Sequence, residues 1–446
     1  MTRDAGGASS APGTRTGRAG PLARPAFRWL LAARTTSVLG NAVAPIALAF
    51  AVLDMTGSAA DLGLVVAARS VANVAVLLLG GVVADRLPRD VVLVGTSLAA
   101  AATQGVVAAL VLTGSATIPS LVVLSVLNGA VAAVSLPAAA ALVPETVPVE
   151  QLRPANALLR LGLNGGSIVG ASAGAAVVAV VGPGWGLAVD AAGFALAALL
   201  FTRLRLPRGA RGDAAAAAAA GPGSGSESGS GPESGSAPAA SAPSVLADLR
   251  EGWQEFRSRS WVWIVVVQFA VLNAAFVGAT TVLGPLVADQ SFGRAAWGLV
   301  VAAQAVGLAV GAVVALRWRP RRALGVGVAL MAVTAVPVAA LGLAPALPVL
   351  LVAFGLGGVA LEVFAIAWDQ SLQTRVPREA LSRVYSYDMV GSFVAVPLGE
   401  VLVGPAAHVF GTAPTLVACA TVIVVATAAA VSTRSVRQLT VEVPAP

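Results

Sequence analysis

Twelve apolar segments, each long enough for a helix to cross a lipid bilayer, follow one another along this chain of 446 residues. About 20 helical residues cross the hydrocarbon core, whereas the strands of a membrane barrel are about half as long and alternate apolar with polar residues. The sequence therefore predicts an all-α membrane protein with twelve transmembrane helices. The predicted spans are 26–53, 61–84, 89–113, 117–142, 155–181, 183–205, 261–289, 293–316, 321–344, 346–371, 380–404 and 409–433.

The composition agrees with a membrane protein and excludes several kinds of chemistry. Only 11% of the residues are charged, against about 25% in soluble domains. There is one cysteine, Cys419, and one histidine, His408, and all 28 basic residues are arginine. An intrachain disulfide, a Cys/His metal site and a lysine-dependent phosphate loop are therefore excluded, so we expect no cofactor and no enzyme.

The arginines are concentrated in alternate loops, which sets the topology. The other loops carry Asp54, Asp61, Asp289 and Arg294 and almost no other charge. Because cytoplasmic loops are rich in arginine, the pattern predicts a multi-pass plasma-membrane protein with both termini in the cytoplasm. The net charge of +7 thus reflects membrane topology and does not indicate a nucleic-acid partner.

Composition also divides the chain into five parts. Residues 1–25 are predicted to be a disordered cytoplasmic tail, 26–206 an N-terminal six-helix bundle, 260–434 a C-terminal six-helix bundle and 435–446 a cytoplasmic C-terminal tail. Between the bundles, 207–259 is a linker that begins with Ala, Gly, Ser and Pro. Its last part, "SVLADLREGWQEFRSRSW", is either a short amphipathic helix on the membrane surface or an early start of span 7.

The two bundles resemble each other in sequence. "LGLVVAARSV" (62–71) in span 2 is matched by "WGLVVAAQAV" (297–306) in span 8. "VPVEQLRPANA" (147–157) is matched by "VPREALSRVYS" (376–386), and Asn41 has a counterpart in Asn273. The sequence therefore predicts two parallel six-helix pseudo-repeats, an arrangement in which a solute binds between the halves.

The loop between spans 2 and 3 has the pattern Gly-x-x-x-Asp-Arg-x-x-Arg, formed by Gly81, Asp85, Arg86 and Arg89. With the twelve spans, this motif resembles the major facilitator superfamily over about residues 26–433. Segments 142–174 and 371–386 resemble its drug, macrolide and siderophore exporter branch. Pro88 stands where that motif usually has glycine, and Ala171 stands where the antiporter motif of span 5 usually has proline.

The resemblance implies a role for the motif. Gly81, Asp85, Arg86 and Arg89 would form a cytoplasmic gate that holds the two halves together when the other side is open. The alternative is a solvated hairpin whose arginines only obey the topology rule. The complete set in this loop favours the gate.

Ionisable and polar groups inside predicted spans are costly and mark functional sites. Candidates for the substrate or proton pathway are Arg69, Glu362, Asn41, Asp388 and Glu400. The alternatives are a structural ion pair for Arg69 and a helix–helix hydrogen bond for Asn41. The structural candidates outside this set are Asp190, Asp369 at the end of span 10, and Arg34, which is expected to reach the lipid headgroups.

Together these features predict a secondary active transporter, a monomer in the bilayer, that exports a small hydrophobic or amphipathic compound in exchange for protons. Proton coupling follows from the resemblance and from the lack of an ATP-binding motif. Two alternatives stay open: an exporter dedicated to one natural product or siderophore, and a membrane sensor with this fold that transports nothing.

Overall fold

A computed structural model describes residues 20–84, 88–204, 253–254, 256–318, 320 and 322–439. This part of the chain is helical, without a strand, and contains twelve helices or helix groups that can cross a membrane. Six uninterrupted helices form spans 1–6, and spans 8, 10 and 12 are also single helices. The helices are Pro25–Thr56, Ala59–Ala84, Arg89–Leu112, Ile118–Thr146, Leu152–Val181, Pro183–Thr202, Ser260–Gly278, Gly284–Gln290, Arg294–Arg317, Ala323–Leu330, Ala335–Leu343, Leu347–Arg375, Arg378–Phe393, Val396–Phe410, Thr412–Ser432 and Arg434–Arg437.

Three spans are built from two helices each. A π-helical turn, Ala279–Leu283, joins the two helices of span 7, and a 3-10 turn, Met331–Thr334, joins those of span 9. Span 11 consists of Arg378–Phe393 and Val396–Phe410. The predicted all-α fold with twelve spans is confirmed.

The predicted boundary between spans 11 and 12 is wrong. The turn lies at Gly411 and not at 405–408, because Gly411 has a φ of 92°, a conformation that glycine adopts without strain. Pro405, which directly follows the predicted end of span 11, lies inside the helix Val396–Phe410. Membrane helices tolerate such a proline. The helices of spans 4 and 10 also continue past their predicted ends, to Thr146 and Arg375.

The twelve antiparallel spans give the bundle two ends. We call one the termini end, because span 1 begins there and span 12 finishes there. The opposite end, the far end, contains the short connections after spans 1, 3, 5, 7, 9 and 11. Five of these six turns contain a glycine with positive φ: Gly57, Gly114, Gly182, Gly293 and Gly411. Glycine permits these tight turns, so the far-end connections are only a few residues long.

The two halves repeat the same packing. Span 2 packs on span 4 as span 8 packs on span 10, and span 3 packs on span 6 as span 9 packs on span 12. Gly129 of span 4 lies against the carbonyl of Arg69, and its counterpart Gly358 of span 10 lies against the carbonyl of Gln304. Arg69 and Gln304 are equivalent in the sequence repeat, so the repeat is also present in three dimensions.

The same repeat supplies the contacts between the halves. Gly63 of span 2 touches the backbone of Glu400 in span 11, and Gly298 of span 8 touches Ala171 and Ala175 in span 5. Glycine at these crossings lets the helix backbones approach closely. Both crossings lie toward the far end, where one buried apolar core includes side chains from both halves.

At the termini end the N-terminal half has a core of its own. It includes Phe27, Leu30, Val92, Leu142 and Phe201, and among the described residues it contains none from the C-terminal half. The two halves are therefore joined at the far end and have separate cores toward the termini end.

Most of each predicted tail and most of the linker, from residue 205 to 252, lie outside the described residues. The prediction of disorder through residue 25 is wrong at its end, because Pro21–Ala23 form a 3-10 turn and Pro25 begins the first helix. Trp253, Gln254 and residues 256–258 are helical. Phe256 is buried, with its ring centroid 5.8 Å from that of Tyr387. The end of the linker thus packs on span 11.

Candidate functional site

A polar cavity of about 300 Å³ lies inside the N-terminal half, among spans 1, 2, 3, 4 and 6. Arg34 lines it, and its Nε is buried without a hydrogen-bond partner among the described residues, so this side chain contributes charge to the cavity. A polar cavity within a bundle of membrane helices is suited to hold a solute or an ion. Its polar lining consists of Arg34, Ser37, Asn41, Arg69, Asn73, Thr96, Ser97, Asn128 and Ser135.

Two of the predicted site residues meet in this cavity. Nη2 of Arg69 donates a hydrogen bond of 3.2 Å to Oδ1 of Asn41, which joins span 2 to span 1. One turn further along span 2, Nδ2 of Asn73 donates to the carbonyl of Gly129 at 3.4 Å. The close approach at Gly129 therefore brings the polar face of span 2 onto span 4.

A buried carboxylate lies behind Arg69. Asp190 of span 6 has no exposed surface, and its Oδ2 accepts a hydrogen bond of 2.6 Å from Nε2 of Gln104 in span 3. Its Oδ1 has no hydrogen-bond partner in the described part of the chain. Asp190 interacts electrostatically with Arg69, so it contributes to the charge balance of the cavity as well as to helix packing.

Glu400 brings a second carboxylate to Arg69 from the other half. Its side chain is 2% exposed, and its Oε2 is buried without a hydrogen-bond partner among the described residues. Arg69 interacts electrostatically with both Asp190 and Glu400. No ion pair within 4 Å joins these three described side chains, so Arg69 attracts the carboxylates of both halves at longer range.

A second pair of charges faces across the halves. Glu362 in span 10 is partly buried and interacts electrostatically with Arg160 in span 5. Glu362 was predicted from the sequence as a pathway residue, and Arg160 was not. Arg160 nevertheless lies inside predicted span 5, where an ionisable group is also a candidate for a functional site. A carboxylate of one half therefore attracts an arginine of the other half here as well.

The C-terminal half contains an aromatic pocket, defined by Phe269, Phe364, Trp368, Asp388 and Ser392, with a volume of about 130 Å³. Nε1 of Trp368 donates to Oδ2 of Asp388 at 2.9 Å, and Oγ of Ser392 donates to Oδ1 at 3.1 Å. Asp388 is therefore held by spans 10 and 11 in a site separate from the Arg69 cluster.

The far end is closed by an arginine clamp that the sequence did not reveal. Arg294, at the start of span 8, donates to both oxygens of Asp54 in span 1, at 2.6 and 3.0 Å. Its Nε donates to Asp289 at 2.6 Å, and the guanidinium carbon lies 4.9 Å from the centre of the Phe50 ring. Asp54 belongs to the other half, so the clamp ties the two halves together.

The structure describes only part of the predicted gate motif. Gly81 lies in the helix Ala59–Ala84, Asp85 and Arg86 lie outside the described residues, and Nη1 of Arg89 donates to Oε1 of Glu145 at 2.5 Å. Glu145 ends span 4 and belongs to the same half. Arg89 therefore braces the termini end of the N-terminal bundle in this conformation.

Twelve membrane spans in two pseudo-repeats are typical of transporters that bind a solute between the halves. The sequence profile of the Major Facilitator Superfamily matches residues 30–316, more than half of the chain. The chain belongs to the major facilitator superfamily. Membership of this superfamily makes it an integral multi-pass membrane transporter rather than an enzyme.

Solved structures of superfamily transporters share its fold. The nucleoside transporter NupG is 15% identical, with 91% of this chain and 98% of that chain covered and a TM-score of 0.69. A bacterial homolog of the human lysosomal transporter Spinster, inward-facing and unoccupied, is 16% identical over 92% and 96%, with a TM-score of 0.64. A D-xylose–proton symporter is 13% identical over 91% and 95%, with a TM-score of 0.62. No curated protein sequence matches this chain.

Proposed function

We propose that this protein is a proton-coupled transporter that exports a small hydrophobic or amphipathic compound by alternating access. One observation carries the proposal: Arg69 of the N-terminal half is shared between Asp190 and Glu400, and Glu400 belongs to the C-terminal half. Charges inside membrane spans are retained where they bind a solute or carry a proton.

Glu400 couples a proton to the change of conformation in this proposal. Its backbone forms the crossing with Gly63, and its carboxylate attracts Arg69 across the halves. A proton bound to Glu400 removes that attraction and so weakens the contact that closes the far end. The proton and the compound would then compete for the carboxylate of Glu400, which is the physical requirement for exchange.

The conformation of the structure agrees with the first half of a transport cycle that alternates between inward-facing and outward-facing states. With the termini end placed in the cytoplasm by the arginine pattern, the far-end crossings and the Arg294 clamp close the outer side. The protein is then inward-facing, ready to bind a compound from the cytoplasm. The gate motif from Gly81 to Arg89 would close the cytoplasmic side in the opposite state.

The proposed direction of transport and the proposed hydrophobic or amphipathic nature of the compound rest on the sequence. Segments 142–174 and 371–386 resemble the exporter branch. The solved structures are named for nucleoside, peptide and xylose transport, and they give no support for hydrophobic compounds. We further propose a monomer in the plasma membrane, with both termini in the cytoplasm.

The proposal is tested with inverted membrane vesicles that contain the full chain. An imposed pH gradient is expected to drive uptake of at least one compound from a panel of lipophilic drugs, macrolides and siderophores. Uptake of a single siderophore or natural product would identify a dedicated exporter. Folded protein that moves no compound would favour the sensor alternative.

The role of Glu400 in proton coupling is tested with a single substitution. Glu400→Gln is expected to abolish accumulation driven by the gradient while exchange of labelled for unlabelled compound continues, because the glutamine stays neutral. Asp61→Asn, at the far-end start of span 2, removes a carboxylate away from the cluster and should behave like the unaltered protein. Gradient-driven accumulation by Glu400→Gln at the normal level would contradict the coupling role.

A further inference from the structure

We propose that the aromatic pocket of the C-terminal half binds the cationic end of the transported compound, a quaternary or protonated amine. The inference rests on the proposed function and names the class of its substrate. It is carried by a cavity, its aromatic walls and its carboxylates, none of which belongs to the Arg69 cluster.

The size of the pocket limits its occupant. Its volume is about 130 Å³. An apolar protein cavity of about 150 Å³ holds one benzene molecule. The pocket therefore takes one ring or one trimethylammonium group. Such a group is one end of an amphipathic molecule, and the remainder of the molecule would extend out of the pocket toward the N-terminal half.

The walls of the pocket suit a cation. The ring centroid of Phe364 lies 5.2 Å from that of Phe269 and 6.4 Å from that of Trp368. The rings of Phe364 and Trp368 are within 16° of parallel, so they form a continuous apolar wall. The face of an aromatic ring attracts a cation that lies within about 6 Å of its centre.

Two carboxylates supply the opposite charge. Asp388 is oriented by Trp368 and Ser392, and each of its oxygens, having accepted one hydrogen bond, keeps a lone pair for a ligand. Asp369 also lines the pocket, and it accepts a hydrogen bond of 3.2 Å from the Tyr385 hydroxyl. Among the described residues, no arginine lies within ion-pair distance of either carboxylate.

The pocket is open to the surroundings and is linked electrostatically to the opposite half. Two of its lining side chains, Met389 and Phe393, are 41% and 44% exposed. Asp369 interacts with Glu362, which in turn interacts with Arg160 of the opposite half. A compound bound in the pocket would therefore extend from an accessible wall toward the charges of the opposite half.

The charges of the two halves select an orientation. The charged side chains that line the N-terminal cavity are Arg34 and Arg69, whereas those that line the aromatic pocket are Asp369 and Asp388, so a cation binds more favourably in the aromatic pocket. An amphipathic amine would place its cationic end on spans 7, 10 and 11 and its hydrogen-bonding groups on spans 1–4.

The test measures binding of labelled benzyltrimethylammonium to the full chain in lipid nanodiscs. Choline and its neutral isostere 3,3-dimethylbutan-1-ol serve as competitors, because they differ in charge and hardly in shape. Choline is expected to displace the label, and the neutral alcohol is not. Asp388→Asn should weaken binding of the label at least tenfold, and Phe364→Leu, which keeps the apolar volume, at least threefold.

Asp61→Asn is the matched control and should bind the label like the unaltered protein. All variants are compared at equal, monodisperse elution from a sizing column. Equal displacement by choline and by the neutral alcohol would overturn the proposal, and so would unchanged binding by both folded variants.

Binding in nanodiscs needs no gradient, so the two proposals can fail separately. Selective binding of the cation without gradient-driven uptake in vesicles would support the pocket and contradict proton-coupled transport. Gradient-driven uptake of other compounds without binding of the cation would support transport and overturn the pocket.

Discussion

The Arg294 clamp makes a quantitative prediction about conformational balance. Asp54→Asn removes the charge that Arg294 binds across the two halves through hydrogen bonds of 2.6 and 3.0 Å. Asp289 lies in the same half as Arg294 and binds it at 2.6 Å. The two carboxylates have similar exposure, 41% and 35% of the side chain, but only Asp54 links the halves.

The size of the effect follows from this geometry. Solvent-exposed ion pairs contribute about 0.2–1 kcal/mol, and a two-pronged arginine–carboxylate pair lies at the upper end of that range. Asp54→Asn should therefore weaken closure of the far end by about 1 kcal/mol, which shifts the balance between closed and open far ends about fivefold. High salt should reduce the difference between the variant and the unaltered protein.

The assay is a distance measurement between spin labels on the two halves. Ser115→Cys and Ser291→Cys place labels at exposed far-end positions, with Cys419→Ser removing the native thiol. Pulsed electron resonance in nanodiscs then gives the populations of short and long distances. Asp289→Asn is the control, because it breaks a contact of the same arginine with a carboxylate of similar exposure within one half.

The population with the far end open is expected to rise about fivefold in Asp54→Asn and to change little in Asp289→Asn. A shift of the same size in both variants would show that Arg294 acts only within its own half. No shift in Asp54→Asn would refute the role of the clamp.

Three further predictions concern packing, burial and the gate. Gly298→Ala should destabilise the protein by about 1–3 kcal/mol, because the added Cβ would collide with span 5. The control is Gly95→Ala, whose Cβ would contact no other atom, so this change should be neutral or stabilising. Thermal unfolding measures both variants. Asp190→Ala should cost about 1–3 kcal/mol in the same assay, because Gln104 loses its buried partner, and Asp190→Asn should recover most of it. Asp85→Asn should slow transport and leave the dissociation constant of the compound unchanged; an unchanged turnover would contradict the gate.

The sequence predicts the membrane fold because hydropathy and arginine placement act locally. Twelve spans were found, and the sequence repeat around Gly63 and Gly298 is present in the structure, which alone shows that both glycines lie at crossings between the halves. The turn at Gly411 was misplaced because hydropathy changes little across it. Local hydropathy therefore predicts the transmembrane spans accurately and the positions of the turns less accurately.

The site depended on contacts that no local pattern contains. Arg294 and Asp54 are separated by 240 positions, and each looked like an ordinary loop charge. Arg69 and Asn41 were predicted as site residues for their polarity within apolar spans, but their hydrogen bond needed the packing of span 1 on span 2. Arg160 carried the same local signal as Arg69, and its significance became clear only opposite Glu362.

The central claim is that this transporter exchanges protons for its compound. The most direct test records both fluxes together in vesicles reconstituted with the full chain, using a pH-sensitive dye inside and a labelled compound. Protons are expected to leave the vesicle as the compound enters, and dissipating the pH gradient should stop net accumulation. Accumulation of the compound that continues at the same rate without a proton gradient would contradict the claim.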